Sequence, residues 1–491
     1  MGIIQRQGIK HSIVNFSGLA IGMLSTLFIY SQKEVVEAYG LMQYLLSIAI
    51  IGFPLFALSG NTVAVRFFPV FQDKTQAQHG FLPFLLLLCL LGWGTSALVA
   101  FFCWDWIKVL VAWDTSVLQE YLWMAFPLTF LFTVALLLYQ YSLNFKRIVI
   151  PSILFDFSLK VALPALLIGI WQHWIDLKTA LNLLLLYYVA VILGQVQYLR
   201  YLKEWHWRIN WAYFTPALRR DIGKYAGFGI LSGFALLLAT KADNLMVGSL
   251  IGMKSTGVYA IALNIAAAME IPTKSLYSAS VSFVSRYLSD ENWAELRSLY
   301  QKVSINLLTA GLFIFGCIWL SAGDLYLVMP NSQEAGQGRY VLFFLSMAKL
   351  VDMGAGLNNQ LVYYSKFYRY SIFSLGVLAV ANVVLNIWLV PVFGITGTAV
   401  ATLLSICCYN FFNLYLVWKK FNMQPFSSKT LLVCLLAAGS IAVLWHLPST
   451  GFHLFNIVLR CSLFALLFGF LVLRFGVSDD ISKIWRERSV R

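Results

Sequence analysis

Charge is what this chain has least of. Lys, Arg, Asp and Glu make up only 11% of its 491 residues, while 60% are hydrophobic. An ordinary soluble domain carries about 25% charged residues, so the composition excludes a soluble enzyme or binding module. A polar stretch long enough to fold as a separate soluble domain is also missing; the longest gap lies around residues 200–222. Histidine is rare. Its six copies form no HxH or HExxH pattern, which leaves no metal motif. The seven cysteines lie in or beside apolar runs without a CxxC spacing, and read as small buried hydrophobes rather than a disulfide or redox framework.

What is abundant is apolar sequence in runs near the roughly 20 residues needed to cross about 30 Å of hydrocarbon. The runs fall at 12–30, 40–65, 80–102, 118–142, 150–170, 179–199, 223–250, 256–284, 303–322, 339–364, 370–390, 395–418, 429–446 and 453–473. They predict an all-α polytopic membrane protein with about 14 transmembrane helices. The first run is too long for a cleavable signal and has no small-x-small cleavage site, so it reads as a retained span.

Basic residues set the expected orientation. With the N-terminus inside, 25 of the 35 Lys and Arg fall in cytoplasmic segments, and five fall outside: Lys33, Lys108, Lys178, Lys254 and Arg339. The positive-inside rule then predicts N-in and C-in. The net charge of +14 follows from this asymmetry and implies no nucleic-acid partner. Trp104, Trp106, Trp113, Trp171 and Trp174 cluster at span ends as an aromatic belt does. Between Tyr198 and Arg220, Trp205, Trp207 and Trp211 alternate with Arg200, Lys203 and Arg208. That segment is either a linker resting on the cytoplasmic leaflet or an interfacial helix gripping lipid headgroups.

The chain reads as a duplication. Gly8, Ser17 and Gly18 recur as Gly223, Ser232 and Gly233 at an offset of 215; Gly40 recurs as Gly257 at 217, and Pro54 as Pro272 at 218. Tyr141-Ser142-x-x-Phe145-Lys146 recurs as Tyr364-Ser365-x-x-Tyr368-Arg369 at 223. Six spans per repeat preserve orientation, so the expected domains are an N-terminal lobe at 1–215, a C-terminal lobe at 216–422, and two extra helices with a tail at 423–491. Secondary transporters built from such repeats place the solute site between the halves near the midplane. Pro54 and Pro272 would act there as paired hinges, because proline removes a backbone hydrogen bond and bends a helix.

Four spans also carry ionisable residues: Asp156/Lys160, Lys241/Asp243, Glu270/Lys274 and Lys349/Asp352. A charge at mid-bilayer costs at least about 2.5–3.5 kcal/mol on insertion scales, so such groups default to function. Three of the pairs have i,i+3 or i,i+4 spacing, and each pair reads either as neutralising itself to lock helix packing or as part of a solute site. At about 1.5 Å per residue, Lys160 and Lys349 lie roughly 15 Å into their spans, near the midplane. Lys10 and Arg66 mark the cytoplasmic mouth. The pattern suits a protein that moves an anionic solute, and the short outward segments 103–117 and 323–338 hold no acid/base cluster for an enzyme.

Several short runs resemble the Wzx-type O-antigen flippases of the multidrug/oligosaccharidyl-lipid/polysaccharide (MOP) exporter superfamily. They are Arg6-Gln7-Gly8-Ile9-Lys10-x-Ser12-Ile13-Val14-Asn15, Tyr39-Gly40-Leu41, Arg66-Phe67-Phe68-Pro69, Lys241-x-Asp243-x-x-Met246-x-Gly248, Gly257-x-Tyr259, Glu270-Ile271-Pro272 and Pro391-x-x-Gly394-Ile395-x-Gly397. The resemblance implies two six-helix lobes with a cationic lumen, alternating between inward- and outward-facing states in the bacterial inner membrane. It implies an undecaprenyl-pyrophosphate-linked glycan as substrate, in lipopolysaccharide or other surface-polysaccharide biosynthesis, and a polysaccharide polymerase as downstream partner. Lys10 and Arg66 would capture the pyrophosphate, Lys160, Lys274 and Lys349 would hold it in transit, and Lys241 would accompany its release. Asp156, Asp243, Glu270 and Asp352 would balance charge, one of them binding a coupling proton or sodium ion; no other cofactor is expected. The last two helices would offer a groove to the lipid tail. The alternative is a MATE-like exporter of cationic drugs, which would want a net acidic site.

Overall fold

In a computed structural model, residues 3–73, 77–105, 116–145 and 147–477 are described. Lys74, Trp106, Lys108, Trp113, Lys146, the side chain of Arg6 and the basic tail after residue 477 lie outside the described residues. Within them every regular element is helical. Hydrocarbon offers no partner to backbone N–H and C=O groups, so a span must satisfy them within itself, as a helix does.

By contact the chain forms two compact units, Met1–Ala260 and Ile261–Arg491. The first holds α1 (Ile3–Phe28), α2 (Val36–Phe56), α3 (Gly60–Phe71), α4 (Phe81–Phe102), α5 (Ala125–Leu143), α6 (Ser158–Trp171), α7 (Leu177–Tyr201) and α8 (Pro216–Leu250), with most of α9 (Met253–Ala266). The second holds α10 (Glu270–Ser289), α11 (Trp293–Val328), α12 (Arg339–Ala355), α13 (Asn358–Tyr364), α14 (Arg369–Phe421), α15 (Ser428–Trp445) and α16 (His453–Arg474). This division lies later than the repeat boundary at 215/216 because α8 packs along α2. Tyr44 Oη and Ser249 Oγ are 2.8 Å apart, and Asn244 Nδ2 donates to Ser47 Oγ at 3.1 Å. Gly40 and Gly257, the pair matched by the repeat, meet here: a Cβ on Gly40 would overlap the Met253 carbonyl, and one on Gly257 the Val36 carbonyl.

Among the described residues eleven helices are long and apolar enough to cross a membrane, and the bent pair Ser332–Ala355 and Asn358–Tyr364, angled at 55°, makes a twelfth when counted as one span. The α14 helix counts as two crossings. Its 53 residues would extend about 80 Å if straight, far beyond the roughly 30 Å core. Gly394 takes φ 57° and folds the helix back, so that Asn382 Nδ2 donates to Thr402 Oγ1 at 3.3 Å. Only glycine adopts such a backbone without strain. The expected run 256–284 falls on α9, a 3-10 turn at Ala267–Met269 and α10, which are not among those long apolar helices. With the fold-back in α14 counted as two, thirteen of the fourteen expected runs have a matching crossing among the described residues.

The Tyr198–Arg220 segment is not an interfacial helix. After α7 it runs irregularly and docks on the first unit, with Tyr213 stacked on His79 at 3.6 Å and donating to the Val70 carbonyl at 2.6 Å. Gly80, at φ 76°, lies against the Arg208 carbonyl, leaving no room for a side chain. In the second unit, α15 and α16 pack on α11. Gly316 admits the Phe464 ring, and Phe464 stacks on Phe468 at 5.3 Å.

Candidate functional site: an ion cluster in the second unit

The 3-10 turn at Ala267–Met269 ends on Glu270, the first residue of α10. At this break in the helix two lysines meet the partly exposed carboxylate. Lys274, one helical turn on, places Nζ 2.9 Å from Oε2; Lys349, from α12, places Nζ 2.6 Å from Oε1. Lys349 and Glu270 are 28% and 33% exposed, whereas Lys274 is 76% exposed. One acid thus serves two bases, so the trio counts one more basic than acidic side chain.

This arrangement corrects the pairing expected from spacing. Lys349 does not pair with Asp352, three residues on; it pairs with Glu270. Asp352 instead accepts from Asn410 Nδ2 of α14 at 3.2 Å, and Asn410 Oδ1 accepts from Asn358 Nδ2 at 2.8 Å. The physical reason is competition between helices. Intrahelical spacing brings two side chains to one face, but a carboxylate on a neighbouring helix end can sit closer to the ammonium. Tyr277 fastens α10 to the bend between α12 and α13 by donating to the Gly356 carbonyl at 2.8 Å.

In the first unit, Asp156 lies in a π-helical turn, Ile153–Phe157, just before α6. Such turns insert an extra residue into the ladder and are frequent at functional sites. Tyr139, Lys160 and His11 are its electrostatic neighbours, and His11 Nε2 is 3.1 Å from Asn15 Nδ2. The stem of Lys160 crosses α1 at Gly18, where an added Cβ would come within 3.0 Å of its Cδ. Ser158 Oγ and Tyr187 Oη, 2.7 Å apart, close the cluster.

The remaining residues are dispersed. Asp243 is buried and accepts from Tyr259 Oη at 2.7 Å, while Lys241 is half-buried. Residues two apart do not share a helix face, so the Lys241/Asp243 spacing carries no pairing by itself. Arg66 is exposed and stacks over Tyr225 at 5.2 Å; Lys10 is exposed on α1. Pro54 packs on Gly233, and the chain leaves helical geometry just after it, at Leu58 and Ser59, both with positive φ. Pro272 stands in the first turn of α10, just after the break at Ala267–Met269. Both prolines therefore border a helix break. If the chain works as the transporter expected from its sequence, Pro54→Ala and Pro272→Ala should slow transport without reducing the amount of protein in the membrane, because proline lowers the cost of bending at each break. Transport rate normalised to protein level tests this; an unchanged rate in the double variant would leave both as packing residues.

Sequence reasoning missed one cluster. Asp324 belongs to the expected outward loop 323–338, but α11 runs on to Val328 and buries it, at 4% exposure. Arg460 Nη1 lies 2.9 Å from its Oδ2, and His453 Nδ1 and Asn456 Nδ2 lie 2.9 and 3.0 Å from its Oδ1. Only the apolar setting of Arg460 in the last span hinted at a partner. The same region holds an apolar groove of about 480 Å³ on α11, α12 and α15, lined by Phe315, Trp319, Phe343, Met347, Ile441 and Trp445. Among the described residues no group of three or more His, Cys, Asp or Glu side chains is placed to hold a metal ion.

Comparison with known proteins places the fold. A model of the MatE family matches residues 230–392. Over 205 residues the chain is 24% identical to the probable flippase AglR of Haloferax volcanii, a match covering 40% of this chain and 42% of that relative's length. The lipid II flippase MurJ, in an inward closed conformation, superposes with a TM-score of 0.74 at 14% identity, covering 98% of this chain and 100% of MurJ. The MATE transporter VcmN of Vibrio cholerae gives a TM-score of 0.54 at 12% identity over 86% of this chain and 98% of its own. An outward-facing multidrug resistance MATE transporter of the MOP superfamily gives 0.53 at 15% identity, over 86% of this chain and 96% of its own. By fold, the chain is a multi-pass helical membrane protein with the architecture shared by MurJ and the MATE transporters.

Proposed function

We propose that this protein is a flippase that carries an undecaprenyl-pyrophosphate-linked oligosaccharide, an O-antigen or other surface-polysaccharide repeat, from the cytoplasmic to the periplasmic leaflet of a bacterial inner membrane by alternating access. The observation that carries this reading is the surplus cation at Glu270. A membrane span tolerates a charge when it is paired, so a second lysine on an already paired acid needs another reason to be there. A pyrophosphate cannot enter hydrocarbon unaided, and lysine binds phosphate as a point charge. Lys160, Lys274 and Lys349 would hold it in transit, with Lys10 and Arg66 as the capturing residues and Lys241 at release. Asp156, Asp243, Glu270 and Asp352 would offset these charges in the empty protein, and one would take up the coupling proton or sodium ion. The names of AglR and MurJ, both flippases, favour a lipid-linked substrate. A MATE-like drug exporter is the second reading, favoured by the family match to residues 230–392. It asks for a net acidic site, and the trio at Glu270 is net basic.

Lipid-linked oligosaccharide accumulating on deletion of the gene, identified by mass spectrometry, tests the substrate. Its absence, together with new sensitivity to cationic drugs, would favour the exporter. Orientation is tested separately. Single cysteines at Lys33, Lys108, Lys178 and Lys254 are expected to react with an impermeant maleimide in intact cells, and cysteines at Arg147 and Lys366 to be protected. The opposite pattern would reverse the N-in arrangement.

A further inference from the structure

We propose that the second unit contains a separate phosphate-binding site, in which Arg339 and Arg460 hold a phosphate ester where α11, α12, α15 and α16 meet. A cavity of about 180 Å³ lies there, lined by Leu320, Gly323, Arg339, Leu444, Trp445 and Arg460. The inference does not depend on the flippase reading, because it uses none of the lysines at Glu270.

The two arginines are held differently. Arg460 is fixed: besides Asp324, its Nη1 donates to the Leu320 carbonyl at 3.0 Å and its Nη2 to the Leu447 carbonyl at 3.4 Å. Arg339, the first residue of α12, lies over the Trp319 ring at 5.5 Å, and its Nε is buried without a hydrogen-bond partner. A buried donor left unpaired is costly, so an empty Nε beside a cavity points to a missing acceptor. The charges agree. Asp324 balances Arg460 and spends its other oxygen on His453 and Asn456, while no described carboxylate pairs with Arg339. The cavity therefore carries an uncompensated positive charge.

The donor set selects the anion. Guanidinium groups present N–H donors in a rigid fork that matches phosphate and carboxylate oxygens. One fork satisfies a carboxylate, whereas a phosphate ester has acceptors for two. Gly323 supplies the space: nothing lies within 4 Å of the Cβ position on that residue. Trp445 lines both this cavity and the apolar groove on α11, α12 and α15, so the phosphate could come from a lipid headgroup as well as from solution.

The test uses the full chain, purified in detergent and stripped of lipid, in a Lys349→Gln background so that the lysine cluster does not contribute. One arm titrates inorganic phosphate and pyrophosphate by calorimetry. The other counts phosphatidylglycerol and phosphatidylethanolamine adducts by native mass spectrometry. Binding in at least one arm is expected, weakened tenfold or more by Arg339→Gln and only partly restored by Arg339→Lys, which keeps the charge but not the fork. Gly323→Leu, which fills the cavity and removes no charge, is expected to give the same loss, and it serves if Arg339→Gln fails to fold. Binding of the free anions alone assigns a soluble phosphate, and binding of lipid alone a headgroup. No binding in either arm, or equal binding by the parent and both variants, overturns the proposal.

Discussion

On the proposed flippase reading, Lys349→Gln is expected to abolish surface-polysaccharide export while the protein remains in the membrane at near-normal level. The structure makes this substitution clean. When Lys349 is neutralised, Glu270 keeps Lys274 at 2.9 Å, so no carboxylate is stranded and one basic side chain is left to one acid. What is lost is the surplus cation alone. The converse substitution, Glu270→Gln, leaves two ammonium groups around a neutral amide, one of them only 28% exposed. It should lower the amount of folded protein, because removing one partner of a buried pair strands the other. Lys274→Gln should be milder than Lys349→Gln, since a side chain 76% exposed is largely solvated. Asp352→Asn should also be mild, as an amide oxygen still accepts from Asn410. The measurement is surface polysaccharide in a deletion strain complemented with each variant, divided by membrane protein level. The deciding case is the double variant Lys349→Gln/Glu270→Gln. If it restores export, the cluster is a structural ion pair and the cation has no role of its own; if it stays inactive, the lysine is needed for the substrate.

How far the sequence could be read depended on the kind of interaction. Hydropathy finds spans because a helix must be apolar along its length wherever it meets lipid, and even the fold-back inside α14 was legible in Pro391-x-x-Gly394. Contact partners were less so. The i,i+3 spacing of Lys349 and Asp352 says that both lie on one face of α12, but it is silent on what α10 and α14 bring to that face. Glu270 and Asn410 took one residue each and split the expected pair. The π turn at Ile153–Phe157 and the 3-10 turn at Ala267–Met269 left no local signature either, because neither contains a glycine or proline. Asp324 was misassigned for a related reason. A charged residue near the end of an apolar run reads as loop, and only the three-dimensional arrival of Arg460 makes its burial affordable.

Arg460→Met is expected to destabilise the protein, by roughly 3–5 kcal/mol on the general scale for breaking a buried pair. Asp324 is 4% exposed and Arg460 16%, so neither can turn to water when its partner goes. His453 and Asn456 would still reach Oδ1, but the permanent guanidinium charge that offsets the carboxylate would be gone. The substitution also frees the Leu320 and Leu447 carbonyls and so loosens the packing of α16 on α11. Asp324→Asn combined with Arg460→Met should recover much of the loss, since an amide at position 324 leaves no charge behind. Thermal unfolding in detergent, without phosphate, separates the two cases: ligand-free protein reports the ion pair alone, whatever binds beside Arg339. If the double variant melts no higher than Arg460→Met, the stranded carboxylate is not the cause, and the loss comes from the arginine's bonds to the Leu320 carbonyl of α11 and to the Leu447 carbonyl after α15.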